Sequence, residues 1–528
     1  MDDQSGTANA STPSLRDGRS ASRPALGGMG LFDFDVSDEV VARPHTRVAR
    51  RIGKRILFVT SEFADLIKVG GLGDVSAALP RALASGHDVR VLLPGYPQVL
   101  AQVPELEPVG ALPGYAALPP CDLARFETPD GLPVYVVLCP ELYARDGSPY
   151  LDAAGVDFAD NDIRFARLSL AAVELATGGG DPHWRADLLH ANDWPSALAP
   201  AYLKWRGART PSIMTIHNLA YQGLFDRERL PALGIPEEAF AIDGVEFHDR
   251  LSFLKAGIFY SSHVTTVSRT YAREITTPEK GCGLDGLLRT RAEEHRLSGI
   301  LNGVDEEWDP RTDENLFRNF APGDWRGKRA NADHVRREFG LAVSRGPLFA
   351  VVSRLVHQKG IDLVIAAAEF IADAGGQVVV IGKGEREIED ALVEVANKRP
   401  EAVAAKIGFD EKEARNVFAG SDFLLMPSRF EPCGLSQMYA QKFGSLPVAH
   451  RVGGLADTIE EGRTGFLFNE HSASSFFSAI GRALHTFGAT RRLNAMRQAA
   501  MKAVPGWDQS AGDYESLYLR VTGNHAPA

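Results

Sequence analysis

The sequence predicts an α/β protein built from two doubly wound Rossmann-like domains facing across a cleft. Three observations carry this. Short, almost entirely apolar runs recur along the chain, as expected of strands buried on both faces of a parallel sheet. Most end on glycine or polar residues and lead directly into a helical pattern. The alternation lapses once, over the charged, proline-bearing stretch 306–345, and then restarts. A chain of 528 residues is too long for one ordinary domain, which also favours two.

Residues 1–52 are rich in Ser, Ala, Gly, Pro and Arg and have little to bury, so a disordered tail is expected there. Asp2, Asp3, Asp17 and Asp33 count against a transit peptide. The first domain, 53–305, opens with the strand Ile56–Thr60 and the glycine loop Lys68–Val75, before a helix predicted from Ser76 to Ser85. Strands follow at Val89–Pro94 and Leu132–Leu138, and an amphipathic helix at Arg164–Leu175. Leu188–Trp194 ends a strand on Asn192 and Asp193, with a helix placed from Pro195. Ser212–Asn218 is a β-branched strand ending at His217, and Val264–Ser268 is the next.

A linker with a helix from about Ala330 opens the second domain, 306–505. Its strands are placed at Leu348–Ser353, Gln377–Gly384, Phe423–Met426 and Leu446–Ala449, with helices at Ile361–Ala374 and Gly434–Phe443. Another helix is expected to start at Leu455. In the last segment, 506–528, a helix from Trp507 to Val521 is expected to return to the first domain.

Composition excludes several function classes. The formal charge of −11 and pI near 5.7 disfavour nucleic acid as a partner. Cys121, Cys139, Cys282 and Cys433 have no Cys-x-x-Cys or metal-ligand spacing, which predicts reduced thiols, a cytoplasmic setting and no bound metal. No uncharged apolar run reaches membrane-spanning length and the first residues lack a signal-peptide core, so no membrane partner is expected. The glycine loop Lys68–Val75 does not have the Rossmann Gly-x-Gly-x-x-Gly spacing, and no P-loop Gly-x-x-x-x-Gly-Lys-Ser/Thr occurs anywhere.

What remains is chemistry at strand ends. Lys68 and Gly71 sit in a strand-to-helix loop whose N–H groups suit an anion. Arg354 and Lys359 bracket another such turn, the geometry of a pyrophosphate clamp. Glu431 follows the strand Phe423–Met426, and Gly453 and Gly454 form the neighbouring turn. Asp193 and His217 end successive strands of the first half. Cations belong with a phosphate leaving group, and carboxylates with sugar hydroxyls or a developing positive charge. Two ordinary turns with Glu431 as a solvated charge remain the plainer reading of these residues.

The motifs in combination resemble those of the bacterial glycogen synthases and plant starch synthases, glycosyltransferase family 5. They are Lys68–Val75, His190–Trp194, Thr215–Gly223, Leu301–Asp305, Val352–Gly360, Pro427–Leu435 and Val452–Thr458, and the resemblance spans about residues 54–520. It implies the glycosyltransferase B fold and transfer of glucose from ADP-glucose to the non-reducing end of an α-1,4-glucan such as glycogen. Configuration is retained and no metal or other cofactor is required. It also implies roles. Lys68 would bind ADP-glucose, with Gly71, Gly453 and Gly454 lining the donor site. Arg354 and Lys359 would bind the diphosphate, Asp193 and His217 would lie beside the transferred glucose, and Glu431 would hold it. Three residues depart from the common pattern: Val69 replaces threonine, Asn192 replaces histidine, and Tyr439 stands where many two-domain glycosyltransferases have a second glutamate.

Two alternatives belong to other classes. A glucan phosphorylase-like enzyme would need a lysine-bound pyridoxal phosphate, and no stretch resembles that site. A non-catalytic glycan-binding protein would be expected to have lost some of the six charged or polar groups named here. Because the tail composition cannot build a core, deleting residues 1–50 is expected to leave melting temperature and specific activity unchanged, measured side by side with the full chain.

Overall fold

The computed structural model describes residues 53–103 and 105–523. The expected disordered tail lies outside the described residues. Among them, the first half builds a sheet whose strands run in the spatial order Leu297–Gly299, His263–Thr266, Ser212–Ile216, Leu188–Asn192, Arg55–Val59, Asp88–Pro94, Pro133–Leu138, Cys121–Glu127 and Glu107–Leu112. The first seven are parallel, and the last two are added antiparallel. The second half builds an all-parallel sheet in the order Val403–Ile407, Gln377–Gly382, Leu348–Val352, Phe423–Met426, Leu446–His450 and Phe466–Phe468. These are the two doubly wound sheets that the sequence predicts.

Strand order places the functional turns. Arg55–Val59 pairs with Asp88–Pro94 on one side and Leu188–Asn192 on the other. In the second sheet Leu348–Val352 pairs with Gln377–Gly382 and Phe423–Met426. The order reverses at each of these points, so a crevice opens beyond the carboxyl ends of the central strands. Asp193 follows one such end, and Arg354 and Glu431 follow the other.

Several boundaries differ from expectation, for local reasons. The first helix begins at Gly71, five residues before Ser76, so the glycines Gly71 and Gly73 form its first turn. Pro195 is the third residue of the short helix Asp193–Ser196, not its first. The linker helix runs Trp325–Glu338, with the Asp324 side chain accepting from Gly327 N. The turn after Leu446–His450 enters its helix at Gly453, not Leu455. The antiparallel strands Glu107–Leu112 and Cys121–Glu127, and the helices Arg386–Lys398, Glu411–Gly420, Ala473–Gly488 and Thr490–Ala503, are not among the predicted elements.

The last helix, Trp507–Gly523, buries Trp507, Tyr514, Leu517 and Tyr518 in the core of the first half. Its anchor is polar. Tyr518 Oη lies 2.8 Å from His190 Nδ1, whose ring Nε2 meets Thr215 Oγ1 at 2.6 Å, all three side chains fully buried. Removing the hydroxyl would leave a buried ring nitrogen unpaired. Tyr518→Phe is therefore expected to cost about 1–3 kcal/mol, read as a lower denaturant midpoint at unchanged slope.

Candidate active site

The second half brings its candidate residues together through two adjacent turns. After Leu348–Val352 the chain passes Arg354 and a three-residue turn, His357–Lys359, into the helix Ile361–Asp373. Gly360, at φ +67°, abuts the Pro427 carbonyl so closely that any Cβ there would collide with it. That approach lets Lys359 Nζ reach Glu431 Oε2 at 2.6 Å, and Ser428 Oγ donates to the same oxygen at 2.9 Å. Both charged side chains are largely buried, at 16% and 6% exposure. Arg429 fastens the turns from outside, donating to Asp362 and to the His357 carbonyl.

Arg354 is the exposed cation of this group. Its Nη1 donates to Tyr221 Oη, from the first half, at 3.2 Å, and its Nη2 to Gln358 Oε1 at 3.4 Å. Gly453 and Gly454 are buried. Gly453 N donates to Glu274 Oε1 at 3.0 Å, and Gly454 N to the Glu431 carbonyl at 3.0 Å. A Cβ on Gly453 would collide with the Glu431 carbonyl. In this structure the two glycines seat one turn against the next, and protein acceptors take both amides.

In the first half, Glu62 organises the glycine loop. Its Oε2 accepts from Val69 N at 2.7 Å and Gly70 N at 2.9 Å, while Oε1 accepts from Tyr150 Oη at 2.6 Å. Burial pushes its carboxyl above the usual range. Lys68 Nζ, partly exposed, is 2.6 Å from Asp74 Oδ1. Gly71 starts the helix, so its N–H lacks an intrahelical partner. It faces Leu435 of the second half, whose Cδ1 would touch a Cβ at Gly71 from 3.7 Å.

Asp193 sits at φ +52°, a left-handed conformation that Asp and Asn tolerate better than most residues. Its Oδ1 accepts from His217 N at 2.7 Å and Asn218 N at 3.4 Å. Burial outweighs these bonds and pushes its carboxyl up to about 7. His217 Nε2 is 3.0 Å from Asn192 Oδ1, and burial pulls this imidazole down to about 3, so it stays neutral.

The segment Arg429–Leu435 is gripped from the first half. Lys280 Nζ donates to the Arg429 carbonyl at 2.9 Å, and Ser268 Oγ to the Pro432 carbonyl at 2.6 Å. Beside it, Thr270 donates to Asp457 through both N and Oγ1. Tyr439 stacks on Trp308, with centroids 3.7 Å apart and planes 8° from parallel. The Trp308 ring also lies 3.9 Å from the Arg415 guanidinium carbon. Glu62, Tyr221, Ser268, Glu274 and Lys280 were not among the expected site residues. Tyr221 lies within the motif Thr215–Gly223 and Ser268 ends a predicted strand, so position alone could have flagged both. The others carry no local signal.

The profile of the starch synthase catalytic domain family matches residues 55–290, and that of the group 1 glycosyl transferases matches 346–486. A glycogen synthase of Bradyrhizobium diazoefficiens is 59% identical over 457 residues, covering 87% of this chain and 99% of that protein. One from Pseudomonas fluorescens is 60% identical over 468 residues, covering 89% and 96%. Among solved structures, the catalytic domain of starch synthase IV from Arabidopsis thaliana, bound to ADP and acarbose, superposes with a TM-score of 0.79 at 31% identity. It covers 89% of this chain and 100% of that one. A sucrose-phosphate synthase from Thermosynechococcus elongatus shares the fold at 18% identity and a TM-score of 0.56.

The raised Asp193 carboxyl has a consequence for stability. A folded-state value near 7 against an ordinary value of 3.8 means the folded chain prefers the protonated form. Stability is therefore lost as pH rises through this window, and the full penalty is present above it. Asp193→Asn keeps the left-handed backbone and an acceptor for His217 N. It is expected to match the parent near pH 4 and to exceed it by of the order of 2–4 kcal/mol above pH 7, measured by denaturant unfolding across pH.

Proposed function

The chain belongs to the family of bacterial glycogen synthases and plant starch synthases, and from that membership we propose that it elongates an α-1,4-glucan with glucose from ADP-glucose. The bond from the glucose anomeric carbon to the diphosphate breaks. A bond from that carbon to the terminal 4-oxygen of glycogen forms with retained configuration. The hydroxyl proton leaves with ADP. We assign residues 53–305 to the acceptor side, 306–505 to the nucleotide-sugar side, and 506–528 to a segment that returns to the first domain. The four free thiols suit a reducing compartment, and no described helix is long and apolar enough to cross a membrane. We place the reaction in the cytoplasm.

The observation that carries the site assignment is the buried Lys359–Glu431 pair, on the turn that also carries Arg354, which is tied to Tyr221 of the first half. Negative charge grows on the diphosphate as it departs. Arg354, Lys359, Lys68 and the Gly71 amide are the groups that oppose it, and preorganised partners of this kind act most strongly in the transition state. Glu431 carries the compensating charge next to the anomeric centre, where positive character develops. Asp193 and His217 line the sugar, and Gly453 and Gly454 shape the site by close packing.

Two expected outcomes test this. Purified protein should incorporate glucose into glycogen much faster from ADP-glucose than from UDP-glucose, with activity surviving EDTA. No incorporation from either donor, or phosphorolysis of glycogen with inorganic phosphate instead, would overturn the reading.

The second outcome uses the ion pair. Arg354→Ala and Lys359→Ala are each expected to lower kcat by about 10²–10³, against the roughly 0–1 kcal/mol that an exposed surface cation would be worth. Glu431→Gln should lower kcat comparably and yet bind ADP more tightly, because Lys359 is then no longer neutralised by its partner. Calorimetric Kd values for ADP, set beside kcat for all three variants, check the pattern. Weaker ADP binding by Glu431→Gln would show that Lys359 does not serve the diphosphate.

A further inference from the structure

We infer that Asn192 is a positioning residue that fixes His217 as its Nε2–H tautomer, so that the His217 Nδ1 meets the substrate as a hydrogen-bond acceptor. The identity of that substrate rests on the glucosyl-transfer reading above. The proton on Nε2 rests on hydrogen-bond geometry, and burial of the ring keeps Nδ1 without one.

Asn192 ends the strand Leu188–Asn192 and is fully buried. Its Nδ2 lies 3.1 Å from the Val59 carbonyl oxygen and 3.5 Å from that of His190, both of which can only accept. Turning the amide over would set Oδ1 against those oxygens and forfeit both bonds. The backbone is held as well: Asn192 N donates to Ser196 Oγ at 2.6 Å, and that hydroxyl donates to the Asn192 carbonyl at 2.8 Å. The atom left 3.0 Å from His217 Nε2 is therefore Oδ1, an acceptor, and the proton of the neutral ring must sit on Nε2.

Three things follow for His217. Its ring is neutral across the physiological range, since burial lowers its affinity for a second proton. Its one ring proton is already committed to Asn192. Its Nδ1 has no hydrogen bond to any described residue and holds a lone pair, so it can take a bond from a sugar hydroxyl and cannot give a proton to the leaving group. Meanwhile Asp193, the next residue, holds the His217 main-chain N–H. Two consecutive residues at one strand end thus fix the ring and the backbone of the same histidine separately. A histidine at position 192, common in the family, can present either a donor or an acceptor to this ring. The amide of Asn192, with its nitrogen committed to two carbonyls, can present only an acceptor.

The experiment is a long-range ¹H–¹⁵N correlation spectrum of the full chain labelled with ¹⁵N-histidine, with the His217 signals identified by their loss in His217→Gln. The expected result is a protonated Nε2 and an unprotonated Nδ1, unchanged from pH 6 to 8. Asn192→Leu removes the acceptor at similar volume. It is expected to give mixed tautomers and a fall in kcat of about tenfold or more, with KM for glycogen within about twofold of the parent. A parent spectrum with Nδ1 protonated would overturn the inference, whether or not the leucine variant folds. So would a folded Asn192→Leu protein with a pure Nε2–H signal and full kcat. An Nε2–H spectrum from a protein inert towards ADP-glucose would sink the glucosyl-transfer reading and leave the tautomer assignment standing.

Discussion

The site depends on a lysine and a glutamate held 2.6 Å apart in a largely buried position. Such a pair is a poor device for stability, because desolvating two charges costs about as much as their attraction returns. It does fix geometry. Lys359 and Glu431 lie on turns after different strands, 72 residues apart in sequence. They meet because Gly360 and Gly453 admit neighbouring carbonyls where any side chain would block them. The glycines, the ion pair and the Ser428 hydroxyl form one unit, in which loss of a single member leaves a buried charge without its partner. The pair thus contributes geometry more than stability to the turn that also carries the exposed Arg354.

The same turn couples the two halves. Lys280, Ser268, Thr270 and Glu274 all reach across from the segment 268–280 of the first half, and all bind between Arg429 and Asp457. The contacts cluster on the short helix Arg269–Glu274 and its flanks, packed against the helix Gly453–Thr458. Any change in the relative placement of the halves must strain or break these bonds together, and Glu431 lies in the middle of the gripped segment. The position of the Glu431 carboxylate and the alignment of the two sheets are therefore mechanically linked. The tie between Tyr221 and Arg354 extends that link to the exposed guanidinium.

Much of this was legible in the sequence, and the reasons are physical. Strands such as Phe423–Met426 and Ser212–Ile216 are buried on both faces, so their apolar runs stand out and their ends are sharp. The candidate residues at those ends, Asp193, His217, Arg354 and Glu431, inherit that sharpness. The edge strand Glu107–Leu112 is mostly exposed and carries no such run, which is why it was missed. Helix starts at Gly71 and Gly453 were placed late because glycine has low intrinsic helix propensity, while here it is chosen for close approach. Glu62 and Glu274 were invisible as site residues. Each matters for the amides it accepts from distant backbone, and nothing in a local pattern encodes such a partner.

The two walls of the cleft differ in charge, and the difference matches what each must do. On the second-half wall Arg354 is exposed and Lys359 is paired, so cationic charge is available where a diphosphate would accumulate negative charge. At the strand ends of the first half, away from the Lys68–Asp74 pair, burial drives two ionisable groups towards neutrality, Asp193 by raising its carboxyl to about 7 and His217 by lowering its imidazole to about 3. A sugar has no charge to be met there, only hydroxyls whose direction must be fixed. Neutral groups with committed protons do this with less desolvation cost than ions would. Asp193 is the exception that bears a cost, since burial opposes the ionised form near neutral pH. Strain of that kind is what a stability–function compromise leaves at a working site. It is also why the polar groups around it, the His217 and Asn218 amides, are so fully engaged.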